Sequence, residues 1–258
     1  MTIRFLEKRL TSNLVIQPDE HLYHVFQPII HLEDGDFFGF EAFLRSNKHD
    51  PVTIFRNAEE KNQKCWLDLL SAQHSINTFS QSMKSNDYLL FINLFPSTLT
   101  HSSCTSLLEF IHKNPVTVHE RVVIEISEKE PINDLLKFKE TVHFLKKAGY
   151  CIALDDVGSL PLSQSKINWV KPDIIKIDKS LAHELSESIE KQNRIKRLLY
   201  FCGKEMKVVL KGIETFIDLE TAKSIGITFG QGFYFGMPTS LSVTNKIFFN
   251  RLVHNKHY

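Results

Sequence analysis

The sequence is poor in the features that mark several large protein classes. No run is long and apolar enough to cross a bilayer. The best stretch, Tyr88 to Phe95, is eight residues long and carries Asn93, whereas a spanning helix needs about twenty apolar residues. The N-terminus places Arg4, Glu7, Lys8 and Arg9 where a secretory leader needs an apolar core, so a cytoplasmic protein is expected. Cysteine is scarce: Cys65, Cys104, Cys151 and Cys202 form neither a CxxC pair nor a zinc spacing, which points to reduced, mostly buried thiols. No charge excess exists either. With 31 basic against 30 acidic residues the net charge is +1, which excludes a broad surface for nucleic acid or an anionic membrane but not a small local anion site. Glycine-rich phosphate loops of the GxGxxG or Walker type are missing, as are linkers, repeats and low-complexity segments.

What remains is ordinary globular material. The 258 residues are 42% hydrophobic and 24% charged, with 20 phenylalanines that belong mostly to a core. The chain reads as one domain over residues 1–258: an N-terminal extension at 1–21, a core at 22–238 and a C-terminal helix within 239–258. In that last stretch Val243, Ile247, Phe248 and Leu252 give Leu241–Val253 an amphipathic face, expected to pack on the core.

Short β-rich runs alternate with helical patterns. The expected strands are Tyr23–His31, Phe37–Leu44, Tyr88–Leu94, Val122–Ile126, Cys151–Asp155, Ile174–Ile177, Val208–Leu210 and Thr228–Phe233. Several are continuous apolar runs, as in strands covered on both faces. Helical periodicity runs over Ile132–Ala148, behind Pro131 and ending at Gly149, and over Ala58–Phe79, Glu187–Gly203 and Asp218–Ile225. Eight strands with intervening helices in one undivided chain predict an α/β barrel of the (β/α)8 type. A doubly wound open sheet is the alternative. Glu33-Asp34-Gly35-Asp36 is too short for a crossover helix, so the first two strands are expected to form an antiparallel hairpin.

In a parallel barrel the chemistry gathers at the C-terminal strand ends. There the apolar runs carry Glu41, Asn93, Glu125, Asp155, Asp156, Lys176 and Lys211. Each alone could cap a helix or pair with a surface charge. Together, four carboxylates and an amide at one mouth call for cations, and an oxygen-only set suits Mg²⁺ or Mn²⁺. Paired acids such as Asp155 and Asp156 can bridge two ions, an arrangement that hydrolyses phosphodiesters.

These residues stand in motifs that resemble the EAL-domain family of bacterial cyclic di-GMP phosphodiesterases and their degenerate relatives. Phe26-Gln27-Pro28-Ile29 resembles the opening strand. Glu41-Ala42-Phe43-Leu44-Arg45 resembles the signature E-A-L-x-R. Ile92-Asn93-Leu94, Glu125-Ile126-Ser127-Glu128, Asp155-Asp156-Val157-Gly158, Lys176-Ile177-Asp178 and Gln231 through Pro238 follow in family order. The resemblance implies a modified TIM barrel with one antiparallel strand. It implies that Glu41, Asn93, Glu125 and Asp155 hold one metal, and that Asp155 and Asp156 help hold a second. Lys176 would contact the attacking water or the phosphate. Gln27 and Arg45 would contact the nucleotide, with Gln231 at the metal or substrate edge and Glu214 among the substrate-binding residues. Cyclic di-GMP is the implied ligand; a protein partner and a homodimer are further possibilities.

The departures carry as much as the matches. Twenty residues before Gln231, where the family has E-G-V-E, this chain reads Lys211-Gly212-Ile213-Glu214. A lysine reverses the charge of a metal ligand, and a protonated amine cannot ligate a metal. It could neutralise the carboxylates by pairing with Asp156, or swing outward and leave a weak one-metal site. After Asp156 the family's second glycine is Leu160, followed by Pro161, and Phe95 replaces a small residue. The expectation is a degenerate domain that binds cyclic di-GMP, a protein partner or both, with weak or no hydrolysis because Lys211 replaces the catalytic glutamate. The alternative is an active Mg²⁺- or Mn²⁺-dependent phosphodiesterase releasing pGpG.

Overall fold

All eight expected strands form, and they close into a barrel. The computed structural model describes residues 19–83, 88–104, 109, 121–127, 131–158 and 164–243. The strands are β1 (Leu22–His31), β2 (Phe37–Ser46), β3 (Leu89–Asn93), β4 (Val122–Ser127), β5 (Cys151–Val157), β6 (Ile174–Ile177), β7 (Lys207–Lys211) and β8 (Phe229–Gln231). Each hydrogen-bonds to the next in sequence, and β1 pairs with β8 to close the ring. The hairpin forms as expected: β1 runs antiparallel to β2, with Gln27 opposite Glu41, and antiparallel to β8, with Ile30 opposite Gly230. The six pairings from β2 through β8 are all parallel. The open-sheet alternative is thereby excluded. Among the described residues no helix is long and apolar enough to cross a membrane.

The described helices lie outside the ring: α1 (Pro51–Glu60), α2 (Lys64–Ser82), α3 (Pro96–Leu99), α4 (Leu135–Lys147), α5 (Gln164–Val170), α6 (Ile189–Cys202) and α7 (Phe216–Ser224). Two differ from expectation. The periodic run Ala58–Phe79 is not one helix. It breaks at Lys61–Gln63, where Asn62 takes a left-handed φ of 56°, a conformation that asparagine tolerates better than most residues. The helix expected from Ile132 starts at Leu135, because the Asp134 side chain accepts the Lys137 N–H at 3.0 Å and caps it there. Pro131 therefore lies outside the helix. Of the other expectations, Glu128, the Leu160-Pro161 loop, residues 1–18 and the part of the C-terminal helix beyond Val243 fall outside the described residues.

Period-two alternation assigns the residues of the regular strand segments to a side. Outward residues such as Phe40, Leu90, Ile124 and Ile152 meet Leu67, Leu70, Ile76 and Phe79 of α2 and Phe138 and Leu145 of α4. Ile175, Leu210, Leu198 and Ala222 build the same layer on the other half. Burying each large side chain there stabilises the fold by about 1.5–3 kcal/mol. Inside the ring, Ile29, Phe91, Val123, Ala153, Ile174 and Val209 form one apolar layer. Gly39 stands beside it because a Cβ would come within 2.6 Å of the Leu89 carbonyl oxygen. This layer is the floor of the site. Two residues further toward the C-terminal strand ends stand Asn93, Glu125, Asp155, Lys176 and Lys211. Gln27 reaches the same level from the antiparallel β1.

Candidate functional site

The polar layer divides around two ammonium groups. Lys176 is fully buried, and its Nζ donates to Glu41 Oε2 and Glu125 Oε1, each at 2.5 Å. The Phe91 ring of the floor lies 5.5 Å from the same ammonium. Lys211 Nζ donates to both Asp155 oxygens, at 2.7 and 2.8 Å, and to Asp156 Oδ1 at 2.8 Å. Adjacent strand residues ordinarily face opposite ways. Asp155 and Asp156 reach one amine because β5 bulges between Leu154 and Val157 and Asp156 takes a left-handed φ of 61°. Ser127 Oγ also donates to Asp156 Oδ2 at 3.4 Å.

The two glutamates differ in their donors. Glu41 accepts from Asn93 Nδ2 at 3.1 Å and Gln231 Nε2 at 2.8 Å in addition to Lys176. Burial works to raise its pKa, but the charges of Lys176 and Lys211 and these hydrogen bonds bring it down to about 2. Glu125 takes Lys176 alone, and its Oε2 is buried with no partner. Burial, then the neighbouring Glu41 charge, pushes its pKa well above the ordinary carboxylate value. Burial also raises Asp155, against the pull of Lys176 and Lys211. Burial lowers the affinity of both lysines for their protons, but the surrounding carboxylates outweigh it and raise both pKa values. Both amines are therefore cations.

The remaining expected residues separate into three groups. Gln27 and Gln231 are buried against each other: Gln231 Nε2 donates to Gln27 Oε1 at 3.1 Å, and Gln27 Nε2 donates to the Gly236 carbonyl at 3.0 Å. They orient Glu41. Arg45 does not reach the carboxylates; it donates to the Leu44 carbonyl at 2.8 Å and lies over the Phe43 ring. It lines a cavity of about 270 Å³ with Asn93, Glu125, Ser127, Phe55 and Phe95. Glu214 is exposed on the turn between β7 and α7, and among the described residues no hydrogen bond or ion pair joins it to the centre.

Several cavity residues escaped the sequence reading. Asp68 of α2 is buried and accepts the Phe95 N–H at 2.9 Å, fixing the strand end beside Asn93. The Phe95 ring packs on Phe55 and carries Lys64 Nζ 4.1 Å from its centre. His24 reaches the cavity from β1, bonded through Nε2 to Ser71 Oγ at 3.0 Å. The alternation of β1 is the only signal in the sequence that bears on His24; Asp68 sits in a helix pattern with nothing to distinguish it.

The expected metal set does not fit the side chains as they stand. Among the described residues no group of three or more His, Cys, Asp or Glu side chains is arranged to hold a metal ion. The carboxylates that would do so are turned onto Lys176 and Lys211. The bare Glu125 Oε2 is the one buried carboxylate oxygen of the centre that lacks a donor.

This geometry meets its relatives in one family. The EAL domain profile matches residues 12–238. The chain belongs to the EAL domain family. The blue light- and temperature-regulated antirepressor BluF of Escherichia coli is 27% identical over 88% of the chain and 56% of its own length. The probable cyclic di-GMP phosphodiesterase PdeB of the same organism is 25% identical over 81% of the chain and 41% of its length. The chain thus spans about half the length of these curated relatives. Among solved structures, the manganese and cyclic di-GMP complex of Klebsiella pneumoniae BlrP1 superposes with a TM-score of 0.78 at 27% identity, covering 86% of this chain and 57% of that one. An EAL domain protein from Listeria monocytogenes has the same fold, with a TM-score of 0.78 at 20% identity over 95% of this chain and 97% of that one. EAL relatives are thus crystallised with a divalent metal and cyclic di-GMP, whereas this EAL domain meets its carboxylates with lysines.

Proposed function

We propose that this EAL domain is a degenerate member of the cyclic di-GMP signalling family, which receives cyclic di-GMP or a protein partner and hydrolyses the nucleotide weakly or not at all. One observation carries the reading: the ammonium of Lys211 is bonded to both Asp155 oxygens and to Asp156. Those carboxylates would hold the second ion in a two-metal phosphodiesterase. A fixed cation in their midst repels a dication and supplies no water for in-line attack. Arg45, beside the cavity, offers charge to a phosphate. The antirepressor name of one relative, at 27% identity, favours output through a protein partner over output through product.

The alternative, a working phosphodiesterase, draws on the convergence of Glu41, Asn93, Glu125 and Asp155 at one barrel mouth. Calorimetric titration with cyclic di-GMP, in EDTA, Ca²⁺ and then Mn²⁺, separates the two when the nucleotide is analysed afterwards. The expected result is intact nucleotide under all conditions. Linear pGpG appearing with Mn²⁺ at the rate shown by a Lys211→Glu variant would overturn the degenerate reading. No heat and no product would narrow the function to the protein partner.

A further inference from the structure

The cavity beside the ion-pair centre has an aromatic wall that the centre does not use. Phe55 of α1 and Phe95, two residues beyond Asn93, meet edge to face with ring centres 5.1 Å apart. Phe95 is held from three sides. Its N–H donates to Asp68 at 2.9 Å, its ring packs on Phe55, and the Lys64 ammonium lies 4.1 Å from the ring centre. A ring fixed in this way loses little entropy when a ligand covers it. Both rings are only half-buried and line the cavity. Phe43 and Arg45 line it too, with the guanidinium 5.4 Å from the Phe43 ring centre. So does His24, which is 7% exposed and whose Nδ1 has no partner among the described residues.

We propose that this cavity takes one purine base of a nucleotide, stacked on Phe95, and that the chain holds its ligand by the base rather than through metal-bound phosphate. The proposal rests on the receptor reading above and gives it a binding mode. Three features set it. The first is chemistry: a fixed aromatic face suits a planar heterocycle, and a base brings ring nitrogens and amino groups to a wall that holds a bare His24 nitrogen. Arg45, at the same cavity, supplies a cation for the attached phosphate. The second is size. About 270 Å³ falls just below the ~300–1,000 Å³ of pockets that enclose a drug-sized ligand, so one base with part of its sugar enters and the second half of a dinucleotide stays outside. The third is the state of the carboxylates. With Lys211 on Asp155 and Asp156 and Lys176 on Glu41 and Glu125, they offer no place to a dication that would draw the phosphate in. Affinity must come from elsewhere, and Phe95, in place of a small residue, supplies it.

Calorimetric titration of the full chain with cyclic di-GMP, pGpG and GMP, in EDTA and in Mn²⁺, tests this. Cyclic di-GMP should bind equally with and without the metal. Linear pGpG offers the same base and should bind within about tenfold of the cyclic form, and GMP should displace both. Phe95→Leu keeps apolar bulk against Phe55 but removes the aromatic face. It should weaken binding about 5- to 150-fold, the equivalent of the ~1–3 kcal/mol that stacking of a base on an aromatic ring contributes. Phe95→Tyr keeps the face and should bind as wild type does. A Phe95→Leu protein with unchanged affinity, equal losses in the two variants, or binding that requires Mn²⁺ would each overturn the base-held mode and leave cyclic di-GMP reception standing. No binding of any nucleotide would overturn it together with the nucleotide half of the receptor reading, and leave the protein partner.

Discussion

Replacing Lys211 with glutamate should convert a metal-indifferent fold into a metal-dependent one. The wild-type centre has four carboxylates, Glu41, Glu125, Asp155 and Asp156, around two ammonium groups. The substitution removes three hydrogen bonds and leaves five carboxylates around one ammonium. Removing one partner of a buried ion pair costs about 3–5 kcal/mol. The Lys211 side chain is 18% exposed, so solvent screening places the loss near the lower figure, about 3 kcal/mol. For a chain of this size that lowers the melting temperature by about 6–12 °C. A divalent ion that binds only the folded variant restores about 2.7 kcal/mol at one hundred times its dissociation constant, which is most of the loss. Scanning calorimetry in EDTA and in Mn²⁺ reads both shifts. Wild type should melt at the same temperature in each, and Lys211→Glu should melt low in EDTA and recover in Mn²⁺. A wild-type protein that Mn²⁺ raises by several degrees would refute the argument that lysines stand in for metal. So would a variant that neither falls in EDTA nor responds to Mn²⁺.

Two other outcomes follow from the buried groups. Burial, reinforced by His74 and Arg45, lowers the pKa of His24 from 6.5 to about 3. A depressed folded-state pKa means that its contribution is complete above 6.5 and is lost as pH falls from there toward 3, by about 2 kcal/mol at pH 5. Urea unfolding at pH 7.5 and pH 5 should show that loss in wild type and a flatter dependence in His24→Gln; equal slopes would count against it. Lys176→Met removes the fully buried cation between Glu41 and Glu125 and should cost about 3–5 kcal/mol at pH 8. With the ammonium gone the carboxylates bind protons more tightly in the folded state, so this deficit should shrink at pH 5. A deficit independent of pH would show that packing, not charge, was lost.

Strand alternation could be read directly because it is local. Placing Val123 on the floor commits Glu125 to the mouth, and Ile174 does the same for Lys176. The short Glu33–Asp36 connection likewise forces the β1–β2 hairpin, since no crossover fits in it. The replacement at residue 211 was also visible, because spacing from Gln231 survives along a continuous chain. Other features depended on three dimensions. The break at Asn62 falls among the polar residues Glu59 to Lys64, which interrupt the apolar periodicity but do not by themselves set the left-handed φ of Asn62. Asp68, in a helix, accepts the Phe95 N–H from 27 residues away.

Sequence alone therefore determined which side chains of the regular strands face the mouth, since side-chain direction along such a strand is a matter of counting; Asp156, at the β5 bulge, is the exception. The tertiary structure decided what those side chains do to one another. It set Gln27 and Gln231 against each other and Gln231 against Glu41, and it left Glu214 in solvent although its motif survives. It also resolved the two readings of Lys211, inward or outward. The bulge at Asp155-Asp156 brings two consecutive carboxylates to one amine, and in a buried site an ammonium goes where the negative potential is deepest. That potential is a sum over five strands, and no single stretch of sequence contains it.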